Sequence, residues 1–200
     1  MRIWTTQTVS FWNKLQEQGV IHCDTSKSWG SNDYKEAYDW MVGQMINRIG
    51  PAPEGVDYPI WGWQQVGCSK KEYHGSVANC SGDDDEFVFI TADIPDELVL
   101  LSDFGDWHCV LNHCHTDFQC SEKEAKDEDA IIKSWDTIFD LNRRGRYIKH
   151  RRNRTIQATF WELRLEWVTA TSRIKGFQRW QQQRFEKYNQ DITENRSPQE

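Results

Sequence analysis

Phe87-Val88-Phe89-Ile90-Thr91-Ala92-Asp93-Ile94 is the stretch that decides the fold class. Its β-branched and aromatic residues, bounded by Asp83-Asp84-Asp85 and by Pro95, predict a strand. Pro95-Asp96-Glu97 turns the chain into a shorter apolar segment, Leu98–Leu101. Ser102 or Asp103 then caps a helix carrying Trp107, Val110 and Leu111. Upstream, residues 67–85 read as an irregular hairpin loop. Before it, Tyr58-Pro-Ile-Trp-Gly-Trp63 is an alternating aromatic strand with Trp61 and Trp63 on one face. Pro59 confines that strand to an edge or places itself at a strand start.

Further out, residues 2–6 predict a first strand. Thr8 caps a helix running to Gln18 that buries Phe11, Trp12 and Leu15, and Gly19 stops it. Asp33 with Glu36 forms a capping box for a helix to about Arg48, with Ala37, Trp40, Met41 and Met45 at helical spacing. A helix from about Ala130 carries Ile131, Trp135, Ile138 and Phe139. Residues 156–168 fit a strand turning into a helix, or one amphipathic helix; periodicity leaves both open. The sum is an α+β fold: a single domain over residues 1–180, a small, mostly antiparallel sheet with packed helices, and a polar, frayed or disordered tail at 181–200.

Composition limits function. The chain has 200 residues, 24 Lys+Arg against 31 Asp+Glu and a net charge of −7, which argues against general nucleic-acid binding. A mean hydropathy of −0.81 and the lack of a long apolar run argue against a membrane span. The first residues lack the apolar core of a signal peptide, so the expected location is cytoplasmic. Eleven Trp, nine Phe and six Tyr supply enough buriable surface to exclude disorder over most of the chain.

In a reducing compartment Cys23, Cys68, Cys80, Cys109, Cys114 and Cys120 are expected as free thiols. His108-Cys109, His113-Cys114-His115 and Cys120 crowd six potential ligands into residues 108–120. Neither this cluster nor Cys68, His74 and Cys80 contains the C-x2-C knuckle of structural zinc, so no metal is assigned. Elbow, Walker, dinucleotide-fingerprint and His-Glu-x-x-His motifs are all missing.

Several stretches resemble one family, the small bacterial proteins of domain-of-unknown-function family 3841. They are Met1-Arg-Ile-Trp-Thr-Thr-Gln7, Ala37-Tyr-Asp-Trp-Met41, Pro59-Ile-Trp-Gly-Trp63, Val99-Leu-Leu-Ser-Asp-Phe104 with Trp107, and Gln157-Ala-Thr-Phe-Trp-Glu-Leu163. That resemblance implies no reaction. The order strand, helix, Gly, apolar residue is also similar to the opening of ADP-ribosyltransferase-like domains. There, a first strand places a polar side chain on the nicotinamide ribose and a later strand brings a Glu. The usual first-strand His is absent here, and Thr5 stands near its place.

This second resemblance implies a nucleotide, with NAD as possible cofactor. Arg2, Thr5, Gln7 and Gln157 would position it, Trp61 and Trp63 would stack on its rings, and Glu162 would be the catalytic carboxylate stabilising oxocarbenium charge. Structural alternatives stand beside these: core packing for the tryptophans and ion pairing with Arg164 or Arg173 for Glu162, while Asp103 reads as a helix cap ahead of a catalytic acid. The run Arg143-Arg144-x-Arg146-x-x-Lys149-His150-Arg151-Arg152-x-Arg154 is the sharpest charge feature. It reads either as a loop offset by the acidic residues at 83–86 and 122–129 or as a docking patch centred on Arg143, Arg144, Arg151 and Arg152. On the docking reading the protein is a non-enzymatic interaction or inhibitor protein, for instance from a mobile element or phage. Whether it is an enzyme stays open at this level.

Overall fold

In the structure, a computed structural model, strand β4 (Glu86–Asp93) is paired along both edges. One neighbour is β1 (Arg2–Thr8) and the other β8 (Val168–Lys175). The residues described are 1–24, 34–67, 86–117, 119–143 and 154–175, with backbone alone at 174 and 175. Six antiparallel strands lie in the order β5-β6-β3-β1-β4-β8, with β3 at Ile60–Gln65, β5 at Leu100–Asp103 and β6 at Ile156–Phe160. A separate two-stranded sheet pairs β2 (Val20–His22) with β7 (Glu162–Arg164). This is the expected α+β architecture.

Local chemistry sets the helix boundaries. In α1 (Val9–Gln18), the Thr8 hydroxyl accepts from the Phe11 amide at 3.1 Å, and Gly19, at φ 75°, terminates the helix in the left-handed region. In α3 (Phe104–Leu111), the Asp103 carboxylate caps the Asp106 amide at 2.9 Å. The first turn of α4 (Glu128–Trp135) is capped by Asp127. Helix α2 spans Lys35–Ile49, and its N-cap, Tyr34, makes no side-chain capping bond. Asp33 of the expected capping box lies outside the described residues, as do most of 67–85, Arg144, Arg151 and Arg152, and the 181–200 tail.

The open question over 156–168 resolves as β6, a kink at Trp161, β7, a 3-10 turn over Leu165–Trp167, and then β8. Ile156–Phe160 is buried on both faces of the sheet, a placement that suits β-branched and aromatic residues in extended form. Pro59 immediately precedes β3, so its missing N–H costs that interior strand nothing.

Two cores flank the sheet. On one face, Ile3, Ile60, Val88, Ile90, Ala158 and Phe160 pack with Leu15 of α1. On the other, Leu100 and Trp61 meet Met41 and Met45 of α2, Trp107 of α3 and Trp135 of α4. Gly62 permits the tight β1–β3 contact: a Cβ there would stand 2.8 Å from both Ile3 Cγ2 and the Trp4 carbonyl oxygen. None of the described helices is long and apolar enough to cross a membrane.

Candidate functional site

Strand register builds a polar row that the chain order hides. Ser102 of β5 pairs with Gln157 of β6, Gln157 with Trp63 of β3, and Trp63 with Trp4 of β1. Residues directly opposite one another in antiparallel strands point to the same face. Two residues along, Leu100, Thr159 and Trp61 show which face it is, because Leu100 and Trp61 belong to the core beneath α2, α3 and α4. With strands about 4.8 Å apart, the row from Ser102 to Trp4 spans roughly 14 Å.

Three members of this row carry buried polar atoms with no partner among the described residues: Trp4 Nε1, Gln157 Oε1 and Ser102 Oγ. Gln157 is 4 % exposed and Ser102 1 %. An unsatisfied buried donor or acceptor costs about 1–3 kcal/mol, so the row is a place where the fold holds polarity it does not itself satisfy. Trp63 lies between Gln157 and Trp4, with its ring edge-on to Phe104 at 5.0 Å.

Beyond Ser102 the row runs into a buried ionic network at the start of α3. Arg154, 1 % exposed, donates from Nη1 to Asp103 Oδ2 at 3.0 Å. Arg143 donates from Nη2 to Asp106 Oδ2 at 3.3 Å and to the Thr116 carbonyl at 3.2 Å. Burial pushes the Asp106 carboxyl above its ordinary range, and the neighbouring Asp103 charge adds to this against the opposing pull of Arg143. Asp106 Oδ1 and the Nε atoms of both arginines have no partner. Both described ends of the basic run thus pair with Asp103 and Asp106; residues 83–85 of the acidic run offered as partners lie outside the described residues.

The residues singled out from sequence divide between the faces. Trp61, Trp63 and Gln157 come together on the helix-covered face. Thr5 and Gln7 alternate onto the α1 face, where the Thr5 hydroxyl donates to the Trp61 carbonyl at 2.8 Å and Gln7 Nε2 donates to Thr5 at 2.8 Å. Arg2 pairs with Asp93 at 3.0 Å near the strand's other end. Glu162 sits on β7, opposite His22, and accepts from Arg164 Nε at 2.6 Å, with His22 Nε2 at 3.5 Å. Glu162 thus lies on the smaller sheet and Gln157 on the larger, on either side of the kink at Trp161.

From sequence, Trp4 is one of several tryptophans that could line a pocket, and Ser102 and Asp103 read chiefly as helix caps; what the sequence does not show is the register that joins Trp4 and Ser102 to Gln157. The spacing Asp103-x-x-Asp106 at a helix start was the available signal for the ionic network. A groove of about 500 Å³ opens beside β2 and β7, lined by Gly19, Val20, Arg164, Leu165 and Glu166. None of those five carries an unpartnered buried polar atom, so the row is the better candidate. Cys23, Cys109, Cys114 and Cys120 are free thiols; Cys68 and Cys80 lie outside the described residues. Burial raises the Cys23 thiol above its ordinary value. Among the described residues, the side chains nearest to a metal-ligand set are Glu36, His113 and Glu128, where the imidazole meets one carboxylate with each nitrogen.

A family model described as Domain of unknown function (DUF3841) matches residues 2–129. Trp4, Trp63, Ser102, Asp103 and Asp106 fall inside the match, and Arg143, Arg154 and Gln157 lie beyond it. No curated protein and no solved structure matches the chain.

Proposed function

We propose that this chain, which belongs to the domain-of-unknown-function family 3841, is a nucleotide-binding domain that meets the polar groups of its ligand with the row Ser102–Gln157–Trp63–Trp4. The observation that carries the reading is the set of unpartnered buried atoms: an indole N–H, an amide oxygen and a hydroxyl on one face. A ligand that presents an acceptor toward Trp4 and, across Trp63, a donor toward Gln157 complements the first two. Nicotinamide's carboxamide and adenine's amino edge both carry such groups, which makes NAD the first ligand to test. Trp63 offers a flat apolar surface beside them.

Transfer of ADP-ribose would ask for a carboxylate near the ribose. Asp106, at the row's end with one oxygen unpartnered, suits that role better than Glu162, which is occupied by Arg164 on the smaller sheet. The docking alternative rests on residues 144–153, outside the described part, while Arg143 and Arg154 spend their guanidinium groups on Asp106 and Asp103.

Titration calorimetry with NAD, ADP-ribose, ATP and nicotinamide tests the proposal. Saturable binding of NAD, weakened at least tenfold by Trp4→Phe, is the expected result; the substitution keeps the ring and removes the donor. No heat with any of the four ligands, or equal affinity in the variant, refutes it.

A further inference from the structure

We infer that His113 is a proton-operated fastener that ties the first turn of α2 to the first turn of α4, a device independent of the nucleotide reading. Its two ring nitrogens face two carboxylates from different helices: Nδ1 lies 3.0 Å from Glu36 Oε2, and Nε2 lies 2.9 Å from Glu128 Oε1. A neutral imidazole has one N–H and one bare lone pair, so it satisfies only one such contact and sets its lone pair against the other carboxylate. The doubly protonated ring donates to both.

The ring is held for this role. His113 is the one non-glycine described residue with positive φ, at 51°, just past the end of α3. Its amide donates to the Val110 carbonyl at 3.1 Å, and its ring stands edge-on to Trp135 at 5.2 Å. Of the surrounding charged groups, Glu36 comes from α2 and Glu128 from α4. Lys35 is engaged by Asp39, Asp127 by the Ala130 amide, and His108 by the Phe104 carbonyl. Among the described residues, the charged groups paired with the ring are Glu36 and Glu128, both negative.

The hydrogen bond to Glu128 is the largest influence raising the His113 pKa above its ordinary 6.5; partial burial opposes it, and the Glu36 charge adds to the rise. A folded value above the unfolded one means the stabilisation is complete below pH 6.5 and fades as pH rises through the folded midpoint. The fastener is thus closed in mildly acidic solution and half-open in alkaline solution, where one carboxylate contact must part.

The test uses the full chain in the presence of a chelator. Imidazole C–H resonances followed by NMR should place the His113 midpoint above 6.5 and show it falling back toward 6.5 in the Glu36→Gln/Glu128→Gln double variant. Hydrogen exchange in residues 35–38 and 128–131, corrected for intrinsic rates, should quicken severalfold as the wild type passes its midpoint. It should show no such step in His113→Gln. A midpoint at or below 6.5, or exchange that ignores the midpoint, overturns the inference. So does stoichiometric uptake of zinc without chelator that His113→Gln abolishes, because the three side chains would then serve a metal and not a proton.

Discussion

Where α1 lies on the sheet, Ile3, Ile90, Ala158 and Phe160 meet Leu15 in an apolar layer, and the polar residues that β1 turns to this face, Thr5 and Gln7, are hydrogen-bonded. Where α2, α3 and α4 lie, the same strands present Trp4, Gln157 and Ser102 with unpartnered polar atoms, and the layer ends in the Arg154–Asp103 and Arg143–Asp106 pairs. Consecutive residues of one strand, Gln157 and Ala158 in β6, belong to these two different environments. An apolar layer is complete in itself, since dispersion and water exclusion ask for no further partner. A polar layer that leaves donors and acceptors unmet is destabilising unless something else supplies the missing bonds. That contrast is the reason the proposed binding row is placed on the second face.

The sharpest way to break this comparison is to disturb the ionic end of the polar face. Arg154→Met leaves Asp103 buried without its counter-charge and should cost about 3–5 kcal/mol, read by urea denaturation. A loss below 1 kcal/mol would mean that Asp103 is solvated and the network is not part of a low-dielectric site. On the apolar face, Ile90→Ala should cost about 2–5 kcal/mol through the cavity it leaves, with nucleotide affinity unchanged in whatever fraction remains folded. Coupling of that substitution to affinity would erase the division between the faces.

The sequence made the local parts of this picture legible. The cap at Thr8, the stop at Gly19, the Asp103 cap of α3 and the central strand at 87–93 all depend on neighbours a few residues away, and all are present. The strand-or-helix ambiguity of 156–168 was real, because the chain does change character there, kinking at Trp161 and making a 3-10 turn at Leu165. The site was illegible for a physical reason. Trp4, Trp63, Ser102 and Gln157 meet only through strand register, and alternation within a strand says nothing about which face one strand shares with another. Gln7 and Thr5 were therefore grouped with Trp61 and Trp63, although β1 turns them to the opposite face. At the two described ends of the basic run, charge counting treats Arg143 and Arg154 as surface groups, whereas Arg154 is buried and Arg143 half-buried because β5 and α3 carry Asp103 and Asp106 to them.

The most direct test of the polar face as a binding site is one substitution read in two ways. Gln157→Met keeps the volume and removes the unpartnered amide oxygen, so the free protein should melt higher, consistent with relief of about 1–3 kcal/mol, while NAD affinity falls at least tenfold. Opposite signs in stability and binding are what the account predicts. A variant that melts lower and binds NAD as the wild type does would show that Gln157 serves the fold and not a ligand, and would contradict it.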